Sequence, residues 1–180
     1  MKTEHPTILV VGDNATDQRL IQMAFRSIGV TDPIHYVDSG KKAIAYMMGE
    51  GEFAERGRFA YPTFVLTDLH MENGDGLDVL EFLKTNPEWS IIPTIVLSRS
   101  AGLDDIKSSY LMGASSYHVK PATQDGMTHL ILILHAYWMT CEVPAVDRSG
   151  RQLATDDRGR LSERFHKVKD ARAKIHRTKI

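Results

Sequence analysis

The sequence predicts an α/β fold, a doubly wound parallel sheet of five strands with helices on both faces. Five short apolar runs recur along the chain, and each is followed by a stretch whose apolar residues have helical spacing. The first run, Ile8 to Val11, is apolar without alternation, which is typical of a strand buried on both sides. Strands that alternate with helices in this way form parallel sheets.

The first two strand-helix units precede residue 50. The strand at 8–11 is broken by Gly12-Asp13-Asn14, and the helix that follows it ends at Gly29. A second strand is predicted at 34–37, and Ser39 is placed to cap its helix. The apolar positions that define the two helices are Leu20, Ile21, Ala24, Phe25 and Ile28 in the first and Ala43, Ile44, Met47 and Met48 in the second.

The other three units follow a polar loop. The third strand ends at Asp68, and its helix runs from Gly76 to near Asn86, because a residue before proline avoids helical torsions. The fourth and fifth strands are predicted at 94–98 and 116–120. Their helices are defined by Leu103, Ile106, Tyr110 and Leu111 and by Met127, Leu130, Ile131, Leu134, Tyr137, Trp138 and Cys141.

The overall composition is that of a globular protein. The chain is 42% hydrophobic and 25% charged, with neither an apolar run long enough to span a membrane nor a secretory signal. A cytoplasmic location is therefore expected. Cys141 is the single cysteine, so an internal disulfide and a cysteine-based metal site are excluded.

Charge divides the chain into an acidic body and a basic tail. Residues 151–180 hold 10 Lys and Arg against 4 Asp and Glu, whereas residues 1–150 hold 12 against 19. We predict a globular domain at 1–145 and a basic extension at 146–180, a linker followed by an amphipathic pattern that fits either a solvated tail or a partner-binding helix. The tail has one aromatic residue, Phe165, and no helix-turn-helix pattern, so sequence-specific nucleic-acid binding is not expected.

Four predicted strands end in side chains suited to phosphate chemistry. Asp13, Asp68, Ser98 and Lys120 follow the first, third, fourth and fifth strands. Ligand sites of parallel sheets lie outside the carboxyl ends of the strands, so these groups are expected to converge. Acyl phosphate formation needs a carboxylate nucleophile, a neutralising cation and donors to the phosphoryl oxygens. The pattern predicts Asp68 as a phosphoacceptor, with Mg²⁺ bound by carboxylate oxygens.

Other chemistries lack their motifs. Neither a phosphate-binding loop nor a dinucleotide fingerprint occurs, and the eight histidines show no metal-ligand spacing. His70 stands two residues after Asp68, where a phosphoaspartyl phosphatase of the haloacid dehalogenase type would have its second Asp. A turnover enzyme is therefore not predicted, and the His70 imidazole is expected to be a surface group.

Several motifs occur together in a fixed order. They are Val10-Val11-Gly12-Asp13-Asn14, Leu66-Thr67-Asp68-Leu69-His70-Met71 with Asp75-Gly76, Pro93-Thr94-Ile95-Val96-Leu97-Ser98 and Tyr117-His118-Val119-Lys120-Pro121. Over residues 7–145 the chain resembles the response regulator receiver domain of two-component signalling. The resemblance implies a flavodoxin-like sheet of strand order 2-1-3-4-5. Residues 49–53 and 137–144 further resemble stand-alone regulators that partner phytochrome-type histidine kinases, and no effector domain is recognised.

The resemblance implies a phosphorylation site and its metal. Asp68 would receive the phosphoryl group from a histidine of the kinase. Asp13, the Asp68 carboxylate and the backbone carbonyl of His70 would bind Mg²⁺.

It also implies a switch. Ser98 would bond to the phosphoryl group, and Tyr117 would be the aromatic residue that follows the Ser98 loop inward. Lys120 would pair with the phosphoryl oxygens, and in many relatives the bond corresponding to Lys120–Pro121 is cis.

Gly12 departs from the family pattern. Receivers usually have two adjacent acids after the first strand, and Gly12 replaces the one that acts on the metal through water. Losing such a group typically costs about 10- to 100-fold in metal affinity. The alternative is a degenerate receiver that works as a phosphorylation-independent scaffold, unless Asn14 or Asp17 compensates for the missing charge.

The last predicted helix is more apolar than one buried face requires. Leu132 and Ile133 lie off its apolar stripe. Receivers commonly dimerise through the surface of helix four, strand five and helix five. By that analogy we predict a homodimer, with a histidine kinase as the other partner.

Overall fold

A computed structural model of the chain describes residues 6–142. Its strands are β1 Ile8–Val11, β2 Ile34–Val37, β3 Phe64–Asp68, β4 Thr94–Ser98 and β5 Ser116–Val119. Its helices are α1 Ala15–Ser27, α2 Gly40–Met48, α3 Gly76–Thr85, α4 Leu103–Leu111 and α5 Gln124–Thr140, with a 3-10 turn at Gly51–Phe53. The predicted boundary at residue 145 and the extension at 146–180 lie outside the described residues.

The five strands form one parallel sheet of order β2-β1-β3-β4-β5. This order confirms the predicted doubly wound, flavodoxin-like α/β fold. Within residues 6–142, no helix is long and apolar enough to cross a membrane. The same part of the chain contains no cis peptide bond, so the Lys120–Pro121 bond is trans here.

The sheet is buried on both faces. Ile8 and Val10 of β1 pack in a core with residues of α1 and α5, whereas Leu9 and Val11 pack with residues of α2 and α3 on the opposite face. All four side chains are buried. An unbroken apolar run is therefore what β1 requires.

Side chains cap the first turns of α1, α2 and α3. The Asn14 side chain accepts a hydrogen bond from the backbone N–H of Asp17 at the start of α1. Ser39 caps α2 as predicted, by accepting from the backbone N–H of Lys42. Asp75 and Asp78 form a reciprocal capping box at the start of α3. The caps fix where each chain segment leaves the carboxyl edge of the sheet.

The apolar residues that define α4 are largely exposed. Leu103, Tyr110 and Leu111 are 82%, 50% and 76% exposed, and the single buried residue of α4 is Ser109. The Ser109 hydroxyl donates to the backbone carbonyl of Asp105 at 2.8 Å, so its polar group is satisfied within the helix. The prediction of a helix here is confirmed, but the apolar residues that indicated it do not form its buried side.

Helix α5 packs against α1 through only part of its predicted apolar stripe. Met127, Ile131 and Leu134 are buried, but Tyr137, which has the same spacing, is 58% exposed. The off-stripe residues Leu132 and Ile133 are also about half exposed. Helix α5 thus offers solvent a more apolar face than its packing on α1 needs.

Candidate functional site

Asp68 lies at the carboxyl end of β3, in the centre of the sheet. Its side chain is 12% exposed. Oδ1 accepts a hydrogen bond from the backbone N–H of Leu69 at 2.8 Å, and Oδ2 accepts one from the Lys120 ammonium. A Cβ on Gly76 would lie 2.3 Å from the Asp68 carbonyl oxygen, so only glycine lets α3 begin this close. The carboxylate is held in one orientation.

Lys120 follows β5 and is the cation of the site. Its side chain is 5% exposed, and the ammonium donates both to Asp68 and to Asp17, the latter at 2.8 Å. A buried ammonium must be paired, and two carboxylates pair this one. Asp68 and Lys120, two of the four strand-end residues that were predicted to converge, are therefore in contact.

Asp17, on the first turn of α1, is the acid that sequence reasoning named only as a substitute for Gly12. Its Oδ1 accepts from Arg99 Nη2 at 2.7 Å and its Oδ2 from Lys120. Burial alone would raise the pKa of Asp17, but the hydrogen bonds and charges of Lys120 and Arg99 outweigh burial and lower it. Asp17 is therefore an ionised carboxylate shared between two cations.

Asp13 is exposed and stands apart from this ion-pair chain. Its Oδ2 accepts from the backbone N–H of Glu72 in the loop after β3, at 3.0 Å. Between residues 6 and 142, no three His, Cys, Asp or Glu side chains are grouped to hold a metal ion. Two carboxylates and a backbone carbonyl are nevertheless a donor set that suits Mg²⁺, which keeps several waters. Asp13, Asp68 and the His70 carbonyl have that chemistry.

Gly12 leaves space beside the acceptor. A Cβ built there would meet one heavy atom within 4 Å, the Cβ of Asp68 at an ordinary 3.7 Å. Gly12, Asp17, Asp68 and Lys120 are among the residues that line a small cavity. The Gln18 amide donates to the carbonyl of Gly12, which fixes the backbone at this turn. A Cβ at position 12 is therefore accommodated without a clash.

Ser98 and Tyr117 meet at the loop after β4. Ser98 is buried, and its hydroxyl accepts from the backbone N–H of Ser100 at 3.2 Å. The Tyr117 hydroxyl donates to the Ser100 carbonyl at 2.9 Å, and its half-buried ring packs beside the cluster of Leu69 and Leu80. Tyr117 is thus bonded to the Ser98 loop and already points inward. Among the described residues, no hydrogen bond joins Ser98 or Tyr117 to Asp68.

The His70 side chain links the acceptor loop to α4. The imidazole is 63% exposed, as expected of a surface group, but its Nε2 lies 3.2 Å from Asp105 Oδ2. Two residues at the site, Asp105 and Arg99, had no assigned role at the sequence level. Arg99 is adjacent to Ser98 at a strand end, which is the signal that could have identified it.

Comparison with known proteins decides the family. The family model described as the response regulator receiver domain matches residues 8–132. The chain belongs to the response regulator receiver family. Receivers are signalling proteins of two-component systems rather than turnover enzymes, in agreement with the missing catalytic motifs.

Relatives of this receiver include phytochrome response regulators. Response regulator Rcp1 of Synechocystis sp. is 29% identical over 139 residues, which are 77% of this chain and 92% of Rcp1. The solved structure of Mn²⁺-bound Rcp1 has a TM-score of 0.69 at 28% identity, and the match covers 78% of this chain and 99% of that one. The phosphorylated cyanobacterial phytochrome response regulator RcpA is 34% identical with a TM-score of 0.71, covering 78% of this chain and 99% of that one. The probable methanogenesis regulatory protein FilR2 of Methanothrix harundinacea is 31% identical, covering 77% of this chain and 88% of FilR2. The predicted resemblance to stand-alone phytochrome regulators is confirmed.

Replacing Asp17 by Asn tests the shared carboxylate. We expect Asp17→Asn to lower the free energy of unfolding at pH 7 by about 1–2 kcal/mol, because two charge-assisted hydrogen bonds are lost. A pKa that is lowered by folding stabilises the fold above the unfolded-state pKa, and this contribution disappears as pH falls through the folded-state pKa. Urea unfolding should therefore show the difference in stability between the two proteins shrinking progressively as the pH falls below the ordinary Asp pKa of about 4.

Glu81→Gln, which removes an exposed acid of α3, is the matched control and should leave stability almost unchanged. An Asp17→Asn protein as stable as the wild type at pH 7 would show that desolvation cancels the two ion pairs.

Proposed function

We propose that this receiver accepts a phosphoryl group on Asp68 from a histidine kinase and signals by protein contact. The observation that supports the proposal best is the contact between the Asp68 carboxylate and the buried Lys120 ammonium. In the transfer, an Asp68 oxygen bonds to phosphorus, the P–N bond of the kinase phosphohistidine breaks, and its electron pair stays on the imidazole nitrogen. Lys120 lies where it neutralises charge that develops on the phosphoryl oxygens.

A divalent cation completes the proposed chemistry. Asp13, Asp68 and the His70 carbonyl would hold Mg²⁺, which neutralises phosphoryl oxygens when it is bound. The Mn²⁺-bound form of the relative Rcp1 supports the binding of a divalent cation. The chain's own contribution is to keep Asp68 oriented and paired with Lys120.

We propose that Ser98 and Tyr117 change position in response to the phosphoryl group on Asp68. The buried Ser98 hydroxyl would turn from Ser100 to the phosphoryl group. Because Tyr117 donates to the Ser100 carbonyl, a shift of this loop moves the Tyr117 hydroxyl with it. The conformational change would thus pass from Asp68 to α4 and β5.

A second candidate function follows from Gly12. Without the second acid of the metal site, the chain would be a receiver that binds partners independently of phosphorylation. Asp17 does not restore that acid as a free ligand, because both of its oxygens are bonded to cations. Phosphorylation assays distinguish the two functions.

The first assay uses a small acyl-phosphate donor. The full chain, incubated with acetyl phosphate and Mg²⁺, is expected to gain one phosphoryl group by intact mass, whereas Asp68→Asn gains none because it lacks the nucleophile. Glu81→Gln, which removes an exposed acid of α3, is the control and should be modified like the wild type. A wild type that stays unmodified at high Mg²⁺ would reject the phosphoacceptor proposal and favour the scaffold.

The second assay restores the missing acid. The space at Gly12 lets us expect that Gly12→Asp folds and needs about 10- to 100-fold less Mg²⁺ for half-maximal phosphorylation. Gly12→Asn fills the same space without a charge and separates the carboxylate from its volume. Equal Mg²⁺ dependence of the Asp and Asn variants would contradict the assignment of Asp13 and Asp68 as metal ligands.

We further propose a phytochrome-type histidine kinase as partner, supported by the similarity to the phytochrome response regulator RcpA, and a homodimer through α4, β5 and α5. These three elements expose Tyr110, Val119 and Ile133 by 50%, 47% and 50%. Half-exposed apolar side chains on adjacent elements are suited to burial between two copies. We also propose that the receiver spans residues 1–145 and that the basic extension spans residues 146–180.

Sedimentation equilibrium of the phosphorylated chain tests the dimer. Ile133→Glu should raise the dimer Kd by at least about tenfold, because a charge would be buried in the interface. Met23→Glu is the matched control, since Met23 is 48% exposed on α1, and it should dimerise like the wild type. Equal effects of both variants, or a monomeric wild type, would exclude this interface.

A further inference from the structure

Arg99 extends the charge chain of the site toward solvent. The guanidinium bonds to Asp17, Asp17 bonds to Lys120, and Lys120 bonds to Asp68. The Arg99 side chain is 67% exposed, whereas those of Asp17, Lys120 and Asp68 are 11%, 5% and 12% exposed. Arg99 therefore lies at the mouth of the site, where an incoming anionic group arrives.

The guanidinium of Arg99 has donors to spare. An arginine carries five N–H donors, and the recorded bond of Arg99 to Asp17 uses one nitrogen, Nη2. The hydrogen bond that Arg99 donates to Asp17, and to a smaller extent the charge of Asp68, raises the pKa of Arg99, so the Asp68 carboxylate is within electrostatic reach. Guanidinium groups bind phosphoryl oxygens with two parallel hydrogen bonds, which an ammonium cannot match.

Asp17 is bonded to both cations, Arg99 and Lys120, and would compete for them with a phosphoryl group on Asp68. Each of its oxygens holds one cation while Asp68 carries only its own carboxylate charge. A phosphoryl group at Asp68 adds negative charge and three strong acceptors beside the same cations. The balance between Asp17 and the new anion then decides where the cations point.

We propose that Arg99 is a second phosphoryl-binding residue and that Asp17 is the counter-ion that holds Arg99 and Lys120 until the phosphoryl group arrives. The proposal rests on phosphorylation of Asp68. It gives the two residues opposite roles although they are in contact. Arg99 favours the phosphorylated state, whereas Asp17 favours the unphosphorylated one.

Beryllofluoride, a stable phosphoryl mimic, measures this balance without turnover. Titrations of the full chain at saturating Mg²⁺, followed by ¹⁹F NMR, should give an affinity about five- to tenfold lower for Arg99→Gln, in line with one partly exposed charged hydrogen bond. Arg99→Lys should recover part of the loss, because it keeps the charge but not the paired donors. Asp17→Asn should bind beryllofluoride about three- to tenfold more tightly, because both cations are released.

Arg26→Gln, at the far end of α1, removes an exposed arginine and should bind the mimic like the wild type. A purely structural role of the Arg99–Asp17 pair would lower the Tm of both variants and leave both affinities unchanged, which would overturn the proposal. Weaker binding by Asp17→Asn would also overturn it. If the wild type itself binds no beryllofluoride and gains no phosphoryl group, the proposed function falls together with this assignment, whereas failure at Arg99 alone leaves the proposed function standing.

Discussion

The site depends on one buried ammonium. Lys120 Nζ contacts two carboxylates, one at the end of β3 and one on the first turn of α1, and thereby ties three elements together. An ammonium on a side chain this buried needs ion-pair partners, so the two acids are a requirement of its position. The position of Asp68 at the edge of the sheet is fixed by the same contacts.

The two acids beside Lys120 come from different elements, one from a strand and one from a helix. Position 12, at the end of β1, is glycine, and the second carboxylate beside Lys120 comes instead from Asp17 on α1. The two locations differ in chemistry, because an acid at position 12 would be free to act on a metal, whereas Asp17 is bonded to two cations. The arrangement favours charge balance between side chains over a concentration of negative charge.

Much of the architecture could be predicted because it follows from local rules. Continuous apolar runs mark buried parallel strands, and the carboxyl ends of such strands meet at one edge, so the neighbourhood of Asp68 and Lys120 follows from the order of the elements. The buried side of α4 could not be read from spacing, because Ser109 rather than the leucines faces inward. Spacing indicates that a helix is amphipathic, but packing decides which side is covered.

The ion pairs of Asp17 could not be predicted from local sequence patterns either. Arg99 is 82 residues from Asp17 in sequence and Lys120 is 103 residues away. Their contacts depend on the rotamers of long side chains, which neither periodicity nor motif spacing specifies. The signal in the sequence was limited to residue type and to a position beside a strand end.

Helix α4 buries one side chain, and that side chain is a serine. Little apolar area therefore fixes this helix to the sheet, and elements with few buried contacts shift at a small free-energy cost. Polar contacts connect it to its surroundings, from Tyr110 to the backbone of Tyr117 and from Asp105 to His70. A difference of a few kcal/mol is enough to reverse the populations of two such positions. The free energy of one new ion pair at Asp68 is thus small compared with the stability of the sheet but large compared with the free-energy cost of shifting α4.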